Sequence, residues 1–142
     1  MLERWGQLID RASAGITDPA ELFAVGTRIT GRLGWTHPEI AGFLAGAGLD
    51  LLDIPGGLAP RALRDIRAGQ AAGRFAVPDA EIALGAAAGG MLGLFKMRQR
   101  HPERVTEASA DQLAEAVLRL LGVPAPEAAR LTALPLPPTD TW

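Results

Sequence analysis

The most constraining feature of this sequence is its shortage of the residues that favour β-strands. Tyrosine is absent, aromatic residues make up 5% of the chain, and valine and isoleucine are sparse beside alanine and leucine. Strands favour the scarce residues, and helices favour the abundant ones. The 17 glycines and 11 prolines then separate helices from one another. The composition therefore predicts an all-α fold.

Length and charge narrow the class of protein further. The 142 residues predict a single domain, residues 1–142, which can bury a core without covalent crosslinks. The absence of cysteine excludes disulfides, thiolate metal ligands and thiol catalysis. The formal net charge of −2 argues against a nucleic-acid-binding surface on this chain.

The sequence does not predict a membrane protein. The chain does not begin with a basic segment followed by an apolar one, so a secretory signal is not expected. The longest nearly uncharged stretch, residues 82–95, is shorter than the roughly 20 residues needed to cross a bilayer. We therefore expect a soluble, cytoplasmic protein with no membrane partner.

Helix start and stop signals predict about seven helices. The segment Asp18-Pro19-Ala20-Glu21 combines an N-cap residue, a proline at the first helical position and an acidic first turn. Segments beginning at Thr36 and at Ser109 have the pattern of capping boxes. The predicted helices cover residues 1–14, 19–35, 37–52, 60–73, 79–100, 109–121 and 126–134, and residues 135–142 are predicted to form an extended tail.

The helix predicted over residues 79–100 is apolar on two opposite sides. At 100° per residue, its large side chains form one arc that includes Leu84, Met91 and Phe95. Glycines at successive i,i+4 positions form the opposite arc. A helix that is apolar on opposite sides packs between two partners. The sequence allows either arc to face a second subunit.

The helix predicted over residues 109–121 also has a wider apolar surface than one core contact requires. Together the two helices predict a homodimer through residues 79–100 and 109–121. The predicted interface residues are Gly85, Gly89, Gly93, Leu113, Ala116, Val117, Leu120 and Leu121.

Catalytic chemistry has little support in this sequence. The two serines, Ser13 and Ser109, lie outside any nucleophile-elbow pattern. His37 and His101 have local explanations at helix ends, and neither has a second ligand at metal-binding spacing. We therefore predict no enzyme activity, no metal site and no cofactor.

Several segments, in this order and spacing, resemble the C-terminal ligand-binding and dimerisation domain of TetR-family transcriptional regulators. The similar segments are residues 64–75 (RDIRAGQAAGRF), 79–81 (DAE), 113–122, 126–130 (PEAAR) and 134–138 (LPLPP). The resemblance covers nearly the whole chain. It departs from the family in one respect, because no helix-turn-helix reader is present in these 142 residues. Residue 1 falls within what would be the connecting helix, so we expect the chain to be part of a longer regulator.

The resemblance implies both a binding site and an assembly. Two C-terminal helices of each subunit would form a four-helix bundle with those of the partner. An apolar small effector would bind among the earlier helices and one side of the first bundle helix, with Arg28 or Thr30 as polar contacts. The implied ligand-binding residues are Trp5, Phe23, Gly26, Thr30, Phe43, Met91 and Phe95. From the residues alone, plain core packing explains these side chains better than a pocket does.

Two functions are consistent with these patterns. The first is the effector-sensing domain of a regulator that binds operator DNA through an N-terminal helix-turn-helix absent from this chain. The alternative is a stand-alone helical dimer that binds a partner or a lipid-like ligand without binding DNA.

Overall fold

The computed structural model describes residues 2–137, which form eight α-helices and one 3₁₀ helix. No strand occurs in this part of the chain, as predicted. The α-helices are α1 (Leu2–Ala12), α2 (Pro19–Gly31), α3 (Leu33–Thr36), α4 (Pro38–Ala47), α5 (Leu58–Ala71), α6 (Ala80–Arg100), α7 (Glu107–Leu120) and α8 (Ala125–Ala133), and the 3₁₀ helix is Gly48–Asp53. Residues 134–137 lie outside the helices, and the rest of the predicted tail, residues 138–142, lies outside the described residues.

Two of the predicted helices are interrupted in the structure. The predicted helix 19–35 breaks at Arg32, which separates α2 from the short α3. The predicted helix 37–52 ends at Ala47, because Gly48 adopts a left-handed backbone with φ of 61°, and the chain continues as 3₁₀ helix. Helical periodicity alone does not reveal such breaks, since the apolar residues continue in phase across them.

The helix caps confirm two start signals and correct two others. Asp18 and Asp79 cap α2 and α6, accepting hydrogen bonds from backbone N–H groups of the first turn. Thr36 does not cap α4, since His37 occupies the N-cap position. Ser109 does not begin α7 but lies one turn inside it. Its hydroxyl accepts a hydrogen bond from the backbone N–H of the true N-cap, Thr106, at 3.0 Å.

The core has three clusters of buried residues, and the two larger ones share α2. Phe23 and Ala24 pack with residues of α5, α6, α7 and α8, including Ile66 and Leu118. The other side of α2, which includes Ile29, packs with residues of α1, α4 and the second half of α6. The central helix α2 is therefore in contact with most of the other helices.

Helix α6 is 21 residues long and contains an 18-residue window with a mean hydropathy of 1.2. Among the described helices it is the one that is long and apolar enough by itself to cross a membrane, although the core helix of a globular protein passes the same test. The sequence prediction considered only the uncharged stretch 82–95 and therefore underestimated the length of the apolar helix. Only 22% of the window is buried within the protomer.

Candidate ligand cavity

A cavity of about 140 Å³ lies among α1, α2, α4, the 3₁₀ helix, α5 and α6. Its walls are mainly apolar and include Phe23 on α2, Leu44 on α4, and Met91 and Phe95 on α6. The bulky arc of α6 thus faces the interior of its own protomer. This placement leaves the glycine arc on the outer side of α6.

A glycine in the middle of α2 keeps the cavity open. A Cβ atom at Gly26 would contact only Ile9 Cγ2, at 3.6 Å. The neighbouring Thr27 directs its hydroxyl to the backbone carbonyl of Phe23 at 2.8 Å, so this polar group is satisfied within α2. Together with Ala87 and Ala88 on α6, these small residues leave room between the two helices.

Five of the seven predicted ligand-binding residues line this cavity, namely Phe23, Gly26, Thr30, Met91 and Phe95. Trp5 and Phe43 do not. Trp5 is buried between helices, with its ring 5.3 Å from the ring of His37 in an edge-to-face arrangement. Phe43 is 49% exposed and lies beside a separate surface depression with Leu2 and Ile54. Trp5 lies one turn before the cavity residue Ile9, and Phe43 is adjacent to the cavity residue Leu44.

Arg28, considered as a polar contact for an effector, has a structural role instead. Its side chain is buried and faces away from the cavity, toward α7 and the segment after α8. Nε donates to Asp111 Oδ1 at 2.7 Å, and Nη1 donates to the carbonyl of Leu134 at 2.7 Å. Of the two polar contacts expected, Thr30 is the one that lines the cavity.

One end of the cavity is polar, which the sequence pattern did not predict. Asp10 of α1 and Arg61 and Asp65 of α5 contribute to the lining there. Arg61 and Asp65 are four residues apart on α5 and share a face with Leu58 and Ala62, which also line the cavity. This spacing was available in the sequence, but only the fold shows that the face meets Asp10.

The polar end is a network of ion pairs. Arg61 donates through both terminal nitrogens to Glu3, at 3.0 and 3.2 Å, and through Nε to Asp10 at 3.2 Å. Arg64 donates through Nε to Asp65 at 3.0 Å and lies 3.5 Å from Asp10. The hydrogen bonds from Arg61 lower the pKa of Glu3, whereas burial raises the pKa of Asp65. The charged form of Asp65 is therefore less favoured than that of Glu3.

The structure also has an apolar surface that no part of residues 2–137 covers. Cβ atoms at Gly85, Gly89 and Gly93 would meet no heavy atom within 4 Å. Ile82 and Met97, on the same side of α6, are 73% and 48% exposed. We call this exposed apolar surface the outer stripe. It consists of Ile82, Gly85, Gly89, Gly93 and Met97 of α6 together with Ala116 and Leu120 of α7.

Three predicted interface residues do not belong to this stripe. Val117 and Leu121 are 5% and 0% exposed and pack inside the protomer core. Leu113 is half-buried against the same core. The wide apolar arc of α7 is therefore divided, with its larger part satisfied within the subunit and Ala116 and Leu120 facing outward.

Within residues 2–137, the structure contains no group of three or more histidine, aspartate or glutamate side chains placed to hold a metal ion. The carboxylates at the polar end of the cavity are instead matched by arginines.

The chain matches, over residues 18–133, a family model described as the tetracyclin repressor-like, C-terminal domain. It belongs to this TetR-like family. A crystal structure of RolR without ligand is 29% identical, with a TM-score of 0.82, covering 98% of this chain and 71% of that one. A crystal structure of RolR in complex with resorcinol is also 29% identical, with a TM-score of 0.78, covering 98% of this chain and 68% of that one. No curated protein sequence matches the chain.

These comparisons confirm the family resemblance and the all-α fold of the TetR C-terminal type. They identify the chain as a domain of a transcriptional regulator. The family points to a regulator that is not an enzyme.

Proposed function

We propose that this chain is the effector-sensing and dimerisation domain of a TetR-like transcriptional regulator. The observation on which the proposal rests is the mainly apolar cavity with one polar end, found in a chain of this family. Ligand sites in proteins are typically apolar cavities with a few placed polar groups.

The volume of the cavity suits a ligand with a single ring. An apolar cavity of roughly 150 Å³ is large enough to hold benzene, and the volume here is about 140 Å³. The resorcinol in the RolR complex is also one ring with two hydroxyl groups. We infer that a small aromatic ligand packs its faces against Phe23, Met91 and Phe95. Its polar group then points toward Asp10, Arg61 and Asp65.

The outer stripe supports assembly into a homodimer. A two-fold dimer uses the same patch on both subunits. The three glycines let two α6 helices approach closely, and Ile82, Met97 and Leu120 supply apolar area that is exposed in the protomer. We propose that α6 and α7 of two subunits pack along this stripe.

The effector would act by changing the geometry of this dimer. Helix α2 lines the cavity and also contacts α7, so a ligand can favour one arrangement of the two subunits. DNA readers joined to the subunits would then gain or lose the roughly 34–36 Å spacing of successive major grooves. A nearly complete switch requires the effector to prefer one arrangement by about 5.5 kcal/mol. We propose that this occurs in the cytoplasm.

The test is operator binding by the gene product that contains this chain. Fluorescence anisotropy with labelled upstream DNA should show sequence-specific binding that a one-ring phenol weakens or strengthens. Sequence-specific binding that no ligand of this class alters would contradict the sensing role. A dimer that binds ligand but no DNA would instead support the stand-alone helical dimer.

A further inference from the structure

Carboxylates outnumber guanidinium groups at the polar end of the cavity. Arg61 is the one cationic residue among the described residues that line the cavity, and all three of its nitrogens bond carboxylates. Arg64 behind it is bonded to Asp65 and Asp10. The network therefore contains the three carboxylates of Glu3, Asp10 and Asp65 and only two guanidinium groups.

We propose that this carboxylate-rich network selects uncharged, hydroxyl-bearing rings and rejects ring carboxylates, with Asp10 and Asp65 as the specificity-determining residues. This inference rests on the proposed function, because it assumes that the cavity is the effector site. It adds a chemical rule for which molecules can be effectors.

The rule follows from what each ligand group can donate. A phenolic hydroxyl donates a hydrogen bond, and the carboxylates of Asp10 and Asp65 are acceptors. A ligand carboxylate accepts only, and three of the five N–H donors of Arg61 already bond Glu3 and Asp10. It would therefore enter as a fourth negative charge beside two cations, and like charges brought together in a partly buried site repel strongly.

The state of Asp65 agrees with this rule. Its side chain is 19% exposed, and burial raises its pKa even though Arg64 is bonded to it. Negative charge at this end of the cavity is thus already costly before any ligand arrives.

Two ligands that differ in one substituent provide the test. In 3-hydroxybenzoate a carboxylate replaces one hydroxyl of resorcinol, so the pair compares a neutral hydrogen-bond donor with an anionic acceptor at one ring position. Calorimetric titration of the chain should show resorcinol binding about 10- to 100-fold more tightly, as expected for lost hydrogen bonds to charged groups. The ratio of the affinities for resorcinol and 3-hydroxybenzoate should fall by about tenfold or more in the variants Asp10→Asn and Asp65→Asn and in the double variant, because each removes a negative charge.

Glu39→Gln serves as the matched control, since it removes an exposed carboxylate in the first turn of α4, away from the cavity. It should leave the ratio unchanged. Each single variant preserves the shape of its side chain, so either one is sufficient if the double variant does not fold.

The outcomes separate the two proposals. Equal affinity of the wild-type chain for both ligands, or a ratio that Asp10→Asn and Asp65→Asn leave unchanged, would overturn the charge rule alone. Failure of both ligands to bind would overturn the charge rule, and failure of phenol and catechol as well would overturn the proposed effector site.

Discussion

Arg28 of α2 donates a hydrogen bond from Nε to Oδ1 of Asp111 on α7 across 2.7 Å, and its side chain is only 6% exposed. Arg32, one turn further along α2, donates two more hydrogen bonds to the same carboxylate, at 2.8 and 2.9 Å. Near this junction, Gly31 lets α7 approach so closely that a Cβ atom there would lie 2.8 Å from Ala110 Cβ. The helix that lines the cavity is thereby held firmly against a helix of the outer stripe.

We expect Asp111→Ala to destabilise the fold by about 3 kcal/mol, because it leaves the buried guanidinium of Arg28 without a counter-charge. Urea unfolding followed by circular dichroism measures this loss. Glu107→Gln is the control, since Glu107 lies 3.6 Å from Arg32 and is 61% exposed. Glu107→Gln should lower the free energy of unfolding by less than about 1 kcal/mol. Equal losses of unfolding free energy in the two variants would contradict the role assigned to Arg28 and Asp111.

Acid should weaken the junction of α2, α5 and α8. Hydrogen bonds from Arg130, which is the larger cause, and from Arg74 lower the pKa of Glu127 from 4.5 to about 2. The hydrogen bonds of Arg74 also lower the pKa of Asp18. A lowered carboxylate pKa stabilises the fold above the unfolded pKa, and this contribution is lost as the pH falls through the folded pKa.

We therefore expect the unfolding midpoint in urea to fall as the pH decreases from 4.5 toward about 2. Arg74→Gln should make this fall shallower, because the pKa values of both carboxylates then return toward their ordinary values. Arg67→Gln, which removes an exposed arginine paired with Glu81, is the control. If Arg74→Gln leaves the acid dependence of the unfolding midpoint unchanged, the ion pairs of Arg74 with Asp18 and Glu127 do not contribute to it.

If two subunits pair through the outer stripe, one charged substitution in the stripe should dissociate the dimer into monomers. Leu120 is 47% exposed on α7, and Leu120→Arg should yield a folded monomer in light scattering, because a dimer would bury an unpaired charge. Leu49→Arg, at a residue that is 54% exposed on the 3₁₀ helix, should leave the dimer intact. Val117→Asp should unfold the chain instead, since Val117 lies in the protomer core. A wild-type monomer, or a Leu120→Arg dimer, would contradict the proposed interface.

Much of the fold was predictable because its determinants are local. The carboxylates of Asp18 and Asp79 cap helices through hydrogen bonds that span two or three residues, so the sequence alone reveals them. The breaks at Arg32 and Gly48 were missed, since they interrupt helices whose apolar pattern continues.

The site was predictable in its apolar part only. Phe23, Met91 and Phe95 were expected from the family resemblance and line the cavity, whereas Trp5 and Phe43 lie outside it, because periodicity does not tell which neighbour a helix side meets. The polar end depends on Asp10 and Arg61, which are 51 residues apart, and only the packing of α1 on α5 brings them together. For the same reason, the sequence could not show that Val117 and Leu121 are satisfied inside the subunit.

The most direct test of the proposed effector site is ligand binding to a variant whose cavity is filled. Gly26→Leu adds a side chain into open space in the cavity wall and replaces glycine with a better helix former, so the fold should persist. Gly46→Leu makes the same replacement at an exposed glycine of α4 outside the cavity. In calorimetric titrations with resorcinol, phenol and catechol, we predict that at least one of these ligands binds the wild type and Gly46→Leu equally. Its affinity should fall at least about tenfold in Gly26→Leu, because the added side chain occupies the space of the ring. Binding that Gly26→Leu leaves unchanged, or a wild type that binds none of the three, would contradict the assignment of this cavity as the effector site.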